Sequence, residues 1–276
     1  MVFSPESPVK QVSCTRRKPH LMHQEFLDYH FQKHGALADE PDEPDLKPTR
    51  YTQTHIFDAA FGARPNGPTN ANHPWVGRDD VTELFYRDAT HLQVCMTSQF
   101  VAEQVGPDAV FFADFETAIS LMAHEKLLEV PVPEEAKASD EWELAALLFL
   151  SPRDNNPDGD GVEMIVSPQL LSLLRRYAGS RIRSAAVNVG VEIPGLDPRE
   201  YFGGKGMPIF SLVYKIHLTG GRDAVPMMRK IEAALQETTS EKIDWSSSFT
   251  VFGYEAVVLD QEKGIPFDYQ RQPRLW

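Results

Sequence analysis

Cysteine is scarce: Cys14 and Cys95 are the only two in 276 residues. Two lone thiols are too few for a zinc site and fit a reducing compartment. Long apolar runs are missing as well. No stretch approaches the ~20 residues needed to span a bilayer, so no membrane association is expected. The opening MVFSPESPVKQ has no apolar signal core, which leaves the cytoplasm as the expected location. Positive charge is in deficit, with 27 Lys and Arg against 40 Asp and Glu and a formal net charge of −13. So acidic a chain repels phosphate backbones, which argues against a nucleic-acid partner.

Three motifs fall short of completion. DNNPDGD (154–160) starts like a calcium loop, but Ile165 stands where a bidentate Glu is required. YFGGKGMP (201–208) lacks the spacing before Lys205 and the Ser or Thr of a phosphate loop, so it reads as a connection between strands. His30 and His34 are four residues apart, yet no metalloprotease context surrounds them. No metal and no cofactor are expected.

What the chain has is ordinary globular material. Hydrophobic residues make up 42% and charged residues 24%, enough to bury a core. The length suits two domains of about 130 residues. Period and punctuation give strands at 9–17, 51–61, 79–88 and 116–130, with helices at 18–38 and 89–105. Asp88 is placed to cap the second helix, and GPDAVFFAD (106–114) to break it. After a Pro- and charge-rich linker at 131–141 the order repeats. Strands are expected at 142–151, 181–193, 208–218 and 248–261. Helices are expected at 167–179, with Ser167 as cap and Pro168 in the first turn, and at 222–238. Each half, 9–130 and 142–262, is thus a β-α-β-β-α-β ferredoxin-like unit, followed by a tail at 263–276. Such a sheet carries helices on one face only. Two of them can cover each other, so the expected fold is α+β, an intramolecular dimeric α/β barrel packed sheet to sheet. The chain is then a monomer with an internal pseudo-dimer, or a homodimer.

Several segments resemble EthD-domain proteins in the right order. RRKPHLMHQEFLDYHFQKHGALA (16–38) is similar to the family's opening, with Lys18, Pro19, Leu21, Glu25, Phe26, Tyr29 and His34 in place. His23 stands at the usual cap and His30 at the usual Trp. RYTQTHIF (50–57) resembles the second strand and DDVTELFYRD (79–88) the third, with Asp80, Glu83, Leu84 and Phe85 matching. The resemblance covers residues 9–130. It implies the dimeric α/β-barrel fold and, from fungal relatives, a cofactor-free enzyme of polyketide or other aromatic secondary metabolism. Decarboxylation, dehydration and cyclisation are the implied reactions.

Such chemistry needs a base, an acid and a dry pocket. Histidine, with an ordinary pKa of about 6.5, suits the first two roles. On YTQTHIF, strand parity puts Tyr51, Gln53, His55 and Phe57 on one face. His55 is the leading candidate to move a proton, with Tyr51 supporting an enolate oxygen; the plain alternative is a hydrogen-bonded strand histidine. His34, near a helix end, either orients a polar substrate group or meets the helix dipole. Asp80 either orients His55 or Tyr51, or makes a turn. Gln53, Phe57, Trp75, Phe85 and His124 are candidate substrate contacts. His30 reads as semi-buried packing. Two other functions stay open: a non-catalytic binding or stress-response barrel, and a haem-binding barrel with His55 or His124 as axial ligand. Parity does not say which way the Tyr51 face points; a second sheet is the expected neighbour.

Overall fold

In the computed structural model, residues 6–63, 73–130 and 143–275 are described. The expected linker at 131–141, the middle of the Gly/Pro/Asn-rich loop at 62–75 and the extreme N-terminus lie outside them. The strands are β1 (Val9–Thr15), β2 (Arg50–Phe61), β3 (Asp80–Tyr86) and β4 (Ile119–Leu127). The second set is β5 (Glu143–Leu150), β6 (Ile182–Gly190), β7 (Leu212–Leu218) and β8 (Phe249–Asp260). They close into one antiparallel barrel in the order β1-β3-β2-β8-β5-β7-β6-β4. Each half contributes a four-stranded sheet with its first strand beside its third and fourth. The fold is therefore the expected α+β barrel, and the two sheets also join at their edges. The seams are β2 with β8 and β4 with β6. Among the described residues, closure leaves the barrel no free edge strand.

Alternation divides every strand between two environments. Inside the barrel lies an apolar core that includes Val12, Cys14, Val81, Leu147, Phe149 and Phe249. Phe149 and Phe249 stack at 4.7 Å. Elsewhere inside, charges from both halves meet. Lys10 Nζ is 2.6 Å from Glu83, and Lys215 pairs with both Glu83 and Glu255. Burial alone would raise Glu83, but the two lysines outweigh it and hold its pKa at about 2. These pairs tie the N-terminal sheet to the C-terminal one.

Outside the barrel the two halves differ. Over the C-terminal sheet, the helices Asp160–Tyr177 and Val225–Thr239 bury Val166, Leu170, Met228, Ile231 and Leu235 against Ala146, Leu148 and Leu150 of β5. The first of these helices begins at Asp160 rather than at Ser167. A ladder of Asx turns (Asn156 N–H to Asp154, Asp158 N–H to Asn156, Asp160 N–H to Asp158) winds the chain into it. Pro168 is tolerated inside because it sits away from the buried face, where a carbonyl that loses its bond reaches water. Ser167 is instead buried, 2.9 Å from the Tyr214 hydroxyl.

Over the N-terminal sheet the helical layer is irregular. The first helix starts where Glu25 accepts the Met22 N–H at 2.8 Å, one residue before the expected cap. It runs through His23–Asp28, then opens into a π-helical stretch, Tyr29–Gly35, and closes with Ala36–Asp39. Asp88 caps the next helix, Ala89–Thr97, accepting the His91 N–H at 2.8 Å. That helix breaks at Ser98, whose Oγ accepts the Val101 N–H at 3.2 Å to start a further helical run. The run contains a second π segment, Val101–Val105, and continues through Gly106–Asp108, where the sequence suggested a break.

Candidate active site

Between the N-terminal sheet and its helices lies a cavity of about 540 Å³. Its floor is the outer face of β1, β2 and β3, with Gln11, Ser13, Tyr51, Thr82 and Tyr86. His30, His34 and Phe112 overhang it, and Met96, Phe100 and Val105 form the apolar side. This corrects the orientation expected for strand β2. The Tyr51–Gln53–His55 row faces the helices, and the Thr52–Thr54–Ile56 row faces the barrel interior. Thr52 approaches Glu83 at 3.3 Å, Ile56 joins the interior core, and Gln53 reaches the His30 carbonyl at 3.1 Å. The physical reason is closure: the interior is filled by apolar and ion-paired side chains, which leaves the open space on the helical side.

A π turn is wider than an α turn, and π segments mark functional positions in many helices. Here the first π segment turns His30 and His34 to one side, with ring centroids 5.6 Å apart and both against Phe112, at 4.6 and 4.9 Å. Beneath them runs a buried polar chain. Gln53 Nε2 donates to the Tyr51 hydroxyl at 2.6 Å and to the His30 carbonyl at 3.1 Å. With both amide hydrogens used, Gln53 Oε1 accepts from His55 Nε2–H at 3.1 Å. Tyr51 then has its own proton to give, and His30 Nε2 lies 3.2 Å away. Thr82 sends its proton to Asp80 Oδ1 at 3.1 Å, so at 3.5 Å from His30 Nε2 it is not the donor there. The donor inventory therefore leaves His30 Nε2 as an acceptor and puts its proton on Nδ1. That atom lies 3.4 Å from Asp80 Oδ1, close but without a formed hydrogen bond. The result is a line from Asp80 through His30 to the Tyr51 hydroxyl.

Burial sets the charge states. It pushes His30 well below the usual imidazole range, assisted by the charges of His34 and His55. It pushes Asp80 well above the carboxylate range, against the Thr82 hydrogen bond. Tyr51 is raised by burial and then by Asp80. Each shift disfavours the charged form of its group, so burial leaves little resident charge along this row. A second polar group hangs at the helical edge. His34 Nδ1 meets Asp108 at 2.8 Å, and the Tyr29 hydroxyl donates to the other oxygen of that carboxylate, also at 2.8 Å. The His34 hydrogen bond is the main cause that lowers Asp108.

Of the residues singled out from sequence, Tyr51 and His34 line the cavity, while Asp80 and Gln53 support it from beneath. His55 is fully buried, pushed by burial to a pKa of about 3, and set edge-on to Phe31. It does not line the cavity. Phe57 packs on Tyr254, Trp75 on His73, and Phe85 faces Lys10 inside the barrel. His124 donates from Nδ1 to the Pro8 carbonyl at 2.7 Å. None of these four belongs to the cavity, nor do His55 and His124 offer it an axial ligand. Four contributors were not among the candidate site residues. His30 replaces a bulky Trp of the resemblance, and that substitution of a titratable ring was the available signal. Asp108 gave none. Tyr201 and Phe202 come from the short helix Pro198–Phe202 between β6 and β7 and close one side of the cavity. The following Gly203 and Gly204 have φ of 86° and 82°, and a Cβ on either would meet the carbonyl oxygen of Phe115 or Ala118.

Among the described residues one group brings three metal-capable atoms within 4.8 Å of one another: Glu143, His217 and Glu255. Its carboxylates are already engaged by cations, Glu143 by Arg183 at 3.0 Å and Glu255 by Lys215 and by Arg50 at 3.1 Å. The group reads as an ion-pair cluster at the barrel end. No helix among the described residues is long and apolar enough to cross a membrane.

Comparison with known proteins places this geometry. Residues 18–116 match the family model of the EthD domain. No curated protein matches the chain. Among solved structures, an anthrone oxidase-like protein superposes with a TM-score of 0.54 at 9% identity, covering 93% of this chain and 95% of that one. Chlorite dismutase from Candidatus Nitrospira defluvii, in complex with imidazole, superposes with a TM-score of 0.46 at 9% identity, over 92% of this chain and 93% of that one. At 9% identity the likeness to the anthrone oxidase-like protein is one of fold.

Proposed function

For a chain that carries an EthD domain at residues 18–116, we propose cofactor-independent acid–base catalysis on a polyketide-like or aromatic intermediate. The observation that supports this reading is the Asp80–His30–Tyr51 line ending in an apolar cavity of about 540 Å³. Tyr51, hydrogen-bonded to a neutral imidazole, can hand its proton to a developing enolate oxygen or take one from a phenol, with His30 as the proton's other station. Asp80 keeps the His30 tautomer that makes this exchange available. His34, oriented by Asp108, serves a second polar group of the substrate. Apolar walls exclude water and strengthen each of these interactions. In this scheme His55 is a buttress: through Gln53 it fixes the direction of the Tyr51 hydroxyl, and the proton-moving role passes to His30.

An enolate formed here can lose carbon dioxide, expel water or close a ring. A carbanion on an anthrone-like ring is also a species that dioxygen oxidises, the substrate type named for the anthrone oxidase-like neighbour. The N-terminal unit, 9–130, holds the cavity in this proposal, and the C-terminal unit, 142–262, acts as its internal partner and as its lid through Tyr201 and Phe202. Two buried free thiols fit a cytoplasmic enzyme. The deciding experiment is mass spectrometry of carboxylated and hydroxylated aromatic polyketides incubated with the protein under air and under nitrogen. Loss of carbon dioxide or water, or an isomer of unchanged mass, supports the proposal and names the reaction. Products that gain oxygen only under air move it to oxygenation. Tight binding with every compound returned unchanged would sink the catalytic reading in favour of a carrier.

A further inference from the structure

The cavity floor carries more polarity than the proton-moving line uses. Across the N-terminal sheet, the register sets Gln53 beside Thr82, Thr82 beside Ser13, and Ser13 beside Ser120. All four lie on the helix-facing side. The next row sets Tyr51, Leu84, Gln11 and Met122 side by side. At about 4.8 Å per strand, Ser120 is about 10 Å from Thr82. That span is of the order of a fused bicyclic or tricyclic aromatic skeleton. At the far end, Ser13 donates to Ser120 at 3.0 Å, and Gln11 Nε2 approaches Ser13 at 2.8 Å and Ser120 at 3.3 Å. Gln11 is only 2% exposed, and its Oε1 has no hydrogen-bond partner among the described residues. Turning the amide over does not remove the vacancy, since the serine hydroxyls can then donate and the NH₂ is left over. A buried polar atom without a partner is costly, so a ligand group that completes it gains more than it would at a satisfied surface.

We propose that Gln11, Ser13 and Ser120 form a recognition subsite for a hydroxyl group at the end of the aromatic substrate remote from Tyr51 and His30. A hydroxyl fits because it both donates and accepts, and so completes the Gln11 amide in either orientation. A carbonyl completes it in only one. Ser13 and Gln11 line the main cavity, and Ser120 faces an adjoining cavity of about 220 Å³. The short helix Pro198–Phe202 borders both spaces, through Pro198 and Arg199 on one and Tyr201 and Phe202 on the other, and Ala118 borders both as well. The substrate class is therefore a planar aromatic with oxygen at both ends.

This inference extends the catalytic proposal but is tested without turnover. Isothermal titration of the full chain with 2,6-dihydroxynaphthalene and with 2-naphthol compares a probe that can reach both ends with one that cannot. The dihydroxy probe is expected to bind about tenfold more tightly, the size of one hydrogen bond to an otherwise unpaired buried group. In Gln11→Met the ratio should fall to about twofold or less. Ser120→Ala, at the half-buried end of the row, should lower it about threefold and serves if Gln11→Met does not fold. Equal binding of the two probes by the unaltered protein, or an undiminished ratio in Gln11→Met, overturns the subsite. A protein that shows the preference yet turns nothing over would count against the catalytic proposal alone.

Discussion

Removing one oxygen tests the proton line directly. In Tyr51→Phe the ring stays buried against the first helix, and the cavity keeps its shape. Two polar groups lose their partner. Gln53 keeps its bond to the His30 carbonyl, at 3.1 Å, but the hydrogen given to Tyr51 is orphaned. His30 Nε2 keeps only Thr82 at 3.5 Å, whose proton is already committed to Asp80. Unpaired buried groups of this kind cost roughly 1–3 kcal/mol, out of a typical total of about 5–15 kcal/mol, so the variant should fold and unfold at a lower urea midpoint. Loss of the acid–base group should cost turnover roughly 10²–10⁴-fold, far more than the stability change explains. The paired assays are urea unfolding by tryptophan fluorescence and kcat/KM on whichever substrate the product screen identifies. A folded Tyr51→Phe protein with turnover within about twofold of the parent would refute the role of the hydroxyl.

Three further outcomes are expected. Asp80→Asn can point its amide N–H at His30 Nδ1 and select the opposite tautomer; turnover should drop on the order of 10²-fold, with only a modest change in binding of 2-naphthol, and equal turnover would remove Asp80 from the mechanism. His55 has its pKa lowered from 6.5 to about 3 by burial, so the unfolded chain binds the extra proton first; stability should fall as pH drops from about 6.5 toward 3, and His55→Phe should flatten that limb of the urea-midpoint profile. Lys215→Met leaves Glu83 to Lys10 alone and deprives Glu255 of its main counter-charge, so unfolding free energy should fall by about 3–5 kcal/mol; a fall under about 1 kcal/mol would show that the interior ion pairs do not hold the halves together.

Much of the architecture could be read from local pattern. Alternation, or in β5 a continuous apolar run, marked the strands, and the order strand-helix-strand-strand-helix-strand, met twice, led to two ferredoxin-like sheets covering each other. Asp88 announced a helix start because its carboxylate needs only neighbours in sequence. Where the reading missed, the cause was tertiary or a feature of longer local geometry. Pro168 looks like a helix start by propensity, yet three Asx turns upstream had already launched the helix. His30 and His34, four apart, share one helix side by spacing alone, but nothing in the sequence showed that this side would face Tyr51 and Asp80.

The sequence by itself determined that Tyr51, Gln53 and His55 share a face, because successive residues on a strand point oppositely whatever surrounds them. Which face of the sheet they occupy was decided only by barrel closure. The interior filled with Phe149, Phe249 and the Lys10–Glu83–Lys215–Glu255 pairs, whose members lie far apart in the chain. Open space was thereby left on the helical side, where a histidine from residue 30 could meet a tyrosine from residue 51 and an aspartate from residue 80. Periodicity is a property of the chain, whereas that meeting belongs to the packing.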